Sequence, residues 1–143
     1  MKNCIRNMAM FVGVIFLLFL IACAPSVKAT DPASVTKSLF DAINKGQAEA
    51  AASYFAEDGE FIWSFGQPKG VQKILNYFKT NLIPLKTHVE LQDLKVDGDN
   101  LTGTFKITST WFKSAFPNGA PLYKVSGVVQ GGKIKSMMWS SVK

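Results

Sequence analysis

Apolar positions along this chain change their spacing twice. From Met8 to Ala22 they run unbroken, from Val35 to Leu82 they recur mainly at helical intervals, and from Val89 onward they alternate as in strands. In the helical part, Val35, Leu39 and Ile43 form one stripe with Phe40 and Ala42 beside it. Asp31 is suited to cap that helix and Pro32 to hold its first position, where a missing N–H costs nothing. Gly46 ends it. A shorter helix is expected from Gln47 to about Ala56, presenting Ala48, Ala51, Ala52 and Phe55. Glu57-Asp58-Gly59 then reads as a turn into an aromatic strand, Glu60 to Phe65. Beyond Gly66-Gln67-Pro68-Lys69-Gly70, the residues Val71, Ile74, Leu75, Phe78 and Leu82 form the strongest helical stripe, which Pro84 stops.

The rest predicts four strands. Lys86 to Val96 switches parity between Val89/Leu91 and Leu94/Val96, which places a bulge near Gln92-Asp93 or else a strand buried on both faces. Asp97-Gly98-Asp99-Asn100 has hairpin composition. Leu101, Phe105, Ile107 and Trp111 alternate with threonines and Lys106 as a half-buried strand. After the loop at Pro117-Asn118-Gly119, Leu122 to Gln130 and Lys133 to Val142 form a last hairpin around Gly131-Gly132, with Ile134 and Met138 opposing Lys133 and Lys135. Helices gathered early and strands late imply an α+β fold, with the helices on one face of an antiparallel sheet.

The chain has 143 residues, one domain plus a short extra segment. Lys2 and Arg6 followed by the apolar run have the form of an export signal, residues 1–22. Two cleavage points are open. Leu20-Ile21-Ala22-Cys23 has the pattern of a bacterial lipobox, in which Cys23 receives a lipid, followed by a tether over residues 23–33 and a domain over 34–143. Ala29 is the alternative, an ordinary signal-peptidase site that would release a secreted or periplasmic product. Cleavage before Cys23 leaves fourteen basic and ten acidic residues, a net charge of +4, and no second cysteine for a disulfide. Arg6 is the only arginine. A mature chain without that planar fork is poorly equipped for nucleic acid or phosphate-rich partners. The expected location is the cell envelope, with the membrane held through the lipid.

Several local motifs occur in a telling order. They are Phe40-Asp41-Ala42-Ile43-Asn44-Lys45-Gly46-Gln47, then Tyr54-Phe55-Ala56-Glu57-Asp58-Gly59-Glu60-Phe61, then Pro68-Lys69-Gly70 with Val71 and Ile74, and finally Gly132-Lys133-Ile134-Lys135-Ser136-Met137. From about Ser34 to Val142 the chain resembles the NTF2-like superfamily, and within it the SnoaL-like proteins. The resemblance implies a cone: three N-terminal helices on a strongly curved antiparallel sheet that encloses a pocket. Such proteins include isomerases, cyclases, dehydratases and non-catalytic binders, and are often dimers through the sheet, so a homodimer is an option here. Where ketosteroid isomerases of this superfamily carry their catalytic groups, the resemblance places Leu39, Trp63 and Val125, all apolar. A proton shuttle needs a titratable group at the substrate.

Other candidates are few. His88 and Glu90 share a strand face, but Val89 and Leu91 facing inward would leave both in water. Asp93, beside the expected bulge, is the best candidate for a buried acid. One histidine and no available thiol leave only carboxylates for a metal, so neither metal nor cofactor is expected. Trp63, Phe65, Trp111, Tyr123 and Trp139 supply aromatic area either for a core or for an apolar pocket. The function expected is non-catalytic binding of an apolar small molecule. The alternatives are an enzyme using His88 or Asp93 and a module for dimerisation or protein interaction.

Overall fold

The computed structural model describes residues 31–142. The signal segment, Cys23 and Ala29 lie outside the described residues. Helix α1 spans Pro32–Asn44, with Asp31 Oδ2 accepting from the Ser34 N–H at 2.9 Å. Its inner face buries Val35, Thr36, Leu39, Phe40, Ala42 and Ile43. At its end the Asn44 amide clamps one residue of a sheet edge. It donates to the Val89 carbonyl at 2.9 Å and accepts from the Val89 N–H at 2.7 Å.

Helix α2 is shorter than expected, Ala48–Ser53. Phe55 and Ala56 belong instead to strand β1, Phe55–Ile62. The expected turn at Glu57-Asp58-Gly59 is a bulge inside that strand. Phe55 pairs with Ile134 and Glu60 with Ser136, so five steps along β1 match two along its partner. Glycine is required there, because a Cβ on Gly59 would lie 2.8 Å from the Ile134 oxygen and 2.9 Å from that of Ala56. Helix α3, Val71–Tyr77, runs on through a π-helical turn, Phe78–Leu82.

The later elements are β2 His88–Asp97, β3 Asn100–Thr108, α4 Thr110–Ala115, β4 Leu122–Gln130 and β5 Lys133–Ser141. Helix α4 is an addition to the expected order. Alternation alone carried the third strand as far as Trp111, but the Ser109 hydroxyl accepts from the Phe112 N–H at 3.1 Å and caps a helix instead.

The strands form one open sheet in the order β1-β5-β4-β3-β2. The last four are antiparallel, as expected, while β1 joins the edge parallel to β5. That pairing is possible because α3 and three strands separate the two in sequence, length enough for the crossover a parallel neighbour needs. Gln92 is the extra residue of the expected bulge, since Leu91 faces Phe105 and Asp93 faces Thr104. A further bulge leaves Lys135 unpaired, between Val129↔Ile134 and Val128↔Ser136. It flips the parity of β5, so Met137 and Trp139 point inward with Ile134 while Met138 is exposed. Met138 therefore does not share a face with Ile134. Bulges bend strands and increase their twist, and the curved sheet cups the helices: α1 packs on β2, β3 and β4, and α3 on β1.

Candidate functional site

The cone is filled. Trp139, 1% exposed, has its ring centroid 4.8 Å from Phe105, 5.0 Å from Phe61, 5.4 Å from Trp63 and 5.7 Å from Phe40, mostly edge-on. Phe61 in turn stacks edgewise on Phe78 at 5.4 Å. Rings meeting edge to face pair positive rims with negative faces and leave little void.

Open space begins at the mouth. A groove of about 270 Å³ is lined by Trp63, Phe65, Tyr77, Asn81, Leu85, Trp111 and Phe112. Two tight local structures shape it. Trp63 and Gly66 exchange backbone hydrogen bonds of 2.9 and 3.0 Å, a turn that carries Phe65 out to solvent. Gly66 is needed because a Cβ there would lie 2.6 Å from the Tyr77 ring. The Leu85 carbonyl accepts from both the N–H and the hydroxyl of Thr110, at 2.9 and 3.0 Å, which pins α4 against the end of the α3 segment as a side wall.

Of the aromatic residues expected in a pocket, Trp63, Phe65 and Trp111 line this groove. Tyr123 and Trp139 do not. Both are buried behind Trp63, Tyr123 stacked on Phe105 at 5.8 Å, because the inward parity of β4 and β5 points them into the packed interior. Sequence reasoning missed Tyr77, Asn81, Leu85 and Phe112. Tyr77 directly precedes Phe78 of the α3 stripe, and that adjacency was the available signal. Phe112 was hidden by the missing helix.

The groove contains no carboxylate and no imidazole. Two of its polar atoms share a feature with Trp139 Nε1 of the packed interior. Trp63 Nε1 and Tyr77 Oη are both buried and without hydrogen-bond partners. Burial raises the Tyr77 hydroxyl above its ordinary pKa. Tyr123 is raised by burial too, partly offset by the Trp63 indole beside it. That approach falls short of a hydrogen bond, so the indole N–H has no partner.

The titratable candidates lie elsewhere. His88 and Glu90 are exposed on β2, and His88 borders depressions at the α1–β2 edge rather than the groove. Asp93 is exposed, not buried. Its Oδ1 accepts from the Thr104 N–H at 2.6 Å and the Thr104 hydroxyl at 2.7 Å, bonds that hold the bulge and lower its pKa. Leu39, Trp63 and Val125 are buried apolar residues. Among the described residues no group of three His, Cys, Asp or Glu could hold a metal ion.

A bent, open sheet cupping three helices, with a groove at its mouth, defines an NTF2-like α+β protein. The sequence profile of the SnoaL-like domain matches residues 36–137, and the chain belongs to that family. Solved structures agree on the fold. A candidate polyketide cyclase from Sinorhizobium meliloti superposes with a TM-score of 0.64 at 20% identity, covering 75% of this chain and 94% of its own. An NTF2-like protein of unknown function from Cytophaga hutchinsonii gives 0.63 at 13% identity, with 78% and 90% covered. A candidate ketosteroid isomerase from Kribbella flavida gives 0.61 at 16% identity, with 78% and 79% covered. No curated protein matches the chain.

Proposed function

We propose that this protein is exported, acylated at Cys23, and held at the cell envelope, where its SnoaL-like domain binds a small apolar molecule without transforming it. The observation that carries the binding reading is the groove itself: an aromatic lining with neither carboxylate nor imidazole. Such a lining offers area for a flat hydrophobic ligand and, apart from the Tyr77 hydroxyl, no titratable group to move a proton. Its volume of about 270 Å³ is close to the lower end of small-molecule sites, roughly 300 Å³, which favours a small ligand of two or three rings.

The unpartnered Trp63 Nε1 and Tyr77 Oη narrow the class further. A buried polar atom left unpaired costs about 1–3 kcal/mol. A ligand oxygen that reached either one would relieve that cost, so a phenol, ketone or ester should bind better than a hydrocarbon of the same shape. The export reading is supported by the basic, apolar and lipobox pattern at residues 2–23. A homodimer has its own supporting observation: Ile62, Val128 and the exposed Met138 border a shallow depression on the sheet.

Native mass spectrometry of detergent-extracted protein tests these points together. The expected result is a chain beginning at an acylated Cys23 that carries a co-purifying small apolar molecule. An unmodified chain beginning at Thr30 would overturn the anchor. Failure to bind N-phenyl-1-naphthylamine after delipidation would overturn the ligand site.

A further inference from the structure

The lip of the groove exposes more apolar surface than its small volume requires. Phe65, Trp111, Phe116 and Leu85 are 56%, 48%, 44% and 39% exposed, four of the eight large hydrophobic side chains exposed among the described residues. They come from three separate segments and gather in one place. Phe65 meets Trp111 edge-on at 5.6 Å, Trp111 meets Phe112 at 4.9 Å, and Phe112 stacks on Phe116 at 5.7 Å. Leu85 lines the same groove. A contiguous exposed patch of this kind marks a contact surface.

The segments that build it carry charge of one sign. All ten acidic residues fall within 31–60 and 90–99. The segments that build the lip, residues 63–87 and 107–121, contain none, but they hold Lys69, Lys73, Lys79, Lys86 and Lys113. Lys79 is engaged by Glu49 on α2 at 2.5 Å. Lys86 follows Leu85 in the chain and Lys113 lies between Trp111 and Phe116. Both are exposed, and neither forms an ion pair among the described residues.

We propose that this lip docks onto an anionic lipid surface. Phe65, Trp111, Phe116 and Leu85 enter the headgroup region, and Lys86 and Lys113 lie against the phosphates. Aromatic side chains concentrate at that depth of a bilayer, and lysines near it are drawn by anionic lipid. Two observations favour lipid over a protein. A second copy of this chain would set lysine against lysine. With Arg6 the only arginine in the sequence, the patch has none of the planar forks that anchor protein interfaces, only the point charges that suit a diffuse anionic surface. Docking in this orientation would also open the groove toward the bilayer, although the proposal does not depend on the ligand reading.

Trp111 is the exposed member of the three tryptophans, Trp63 and Trp139 being buried, so it reports the contact locally whatever the N-terminal segment does. The full chain is reconstituted in vesicles of brominated phosphatidylcholine, with or without a quarter of brominated phosphatidylglycerol, and tryptophan quenching is read. Quenching should be at least about threefold stronger with the anionic lipid and should disappear in Trp111→Phe. It should fall to the zwitterionic level in a Lys86→Glu/Lys113→Glu variant. Equal quenching in both lipids, or an unchanged double variant, would overturn the proposal. So would protection of Trp111 from aqueous iodide that grows with protein concentration in lipid-free solution, because a second copy would then cover the lip.

Discussion

The interior of the cone and its mouth are built from the same side chains for opposite ends. Around Trp139 four rings close on one another and nearly all solvent is excluded. A few ångströms away, Trp63 is shared by both regions: its ring packs on Trp139 at 5.4 Å and on Phe65 at 4.9 Å, and Phe65 is exposed. Residue type therefore does not distinguish packing from binding in this molecule. What distinguishes them is whether an element stands opposite. The inward faces of β4 and β5 meet α1, whereas nothing covers the outward side of the turn at Gly66 and of the short helix α4, where Phe65 and Trp111 are exposed.

Substitutions should separate the regions cleanly. Trp139→Ala should lower stability by about 3–5 kcal/mol in chemical denaturation, the usual cost of emptying a large aromatic site in a core. Trp111→Ala should stay within about 0.5 kcal/mol of the parent yet weaken N-phenyl-1-naphthylamine binding severely in a fluorescence titration. Similar stability losses in the two variants would erase the distinction.

Asn44→Ala is expected to cost about 1–2 kcal/mol, since it strips both backbone partners from Val89 at the sheet edge. Probe affinity should hardly move, as Asn44 is not part of the groove. Tyr77→Phe should leave stability equal or slightly higher at neutral pH, because it deletes a buried hydroxyl with no partner. It should selectively weaken ligands that carry an acceptor oxygen, read as a ratio of affinities for naphthol and naphthalene.

pH gives the smallest and most diagnostic effects. Burial raises the Tyr77 hydroxyl, so its contribution to stability is intact below the unfolded value near 10 and is lost as pH climbs through the folded one. Tyr77→Phe should flatten that alkaline loss. Asp93 is lowered, first by the Thr104 hydroxyl and then by its N–H. Its contribution is present above the unfolded value of 3.8 and disappears as pH falls through the folded one, so Asp93→Asn should remove part of the acid sensitivity without affecting the groove. Melting temperatures across pH check both signs.

Much of the fold was readable because local chemistry and tertiary demand agreed. Asp31-Pro32 set the start of α1, and the parity switch between Leu91 and Leu94 marked the bulge at Gln92. The failures occurred where a local signal was overridden. Glu57-Asp58-Gly59 has turn composition, yet pairing with β5 holds it in a strand as a bulge. Threonine alternation carried β3 too far because Ser109 can cap as readily as it can extend. Met138 was misplaced because an extra residue in β5, Lys135, has no signature in one sequence. The site was half legible for the same reason. Trp63, Phe65 and Trp111 stood out by type, but choosing them over Tyr123 and Trp139 required strand parity. Tyr77 was hinted at only by its place before Phe78, and Asn81 was reachable only through the packing of the π-helical turn after α3.

The central claim, a packed interior with a ligand groove at its lip, is tested most directly by the three tryptophan indole N–H resonances during titration with N-phenyl-1-naphthylamine. The prediction is that the signals of Trp63 and Trp111 shift with saturation while that of Trp139 stays fixed. A shift of Trp139 comparable to the other two, or no shift at Trp63, would place the ligand elsewhere and contradict the account.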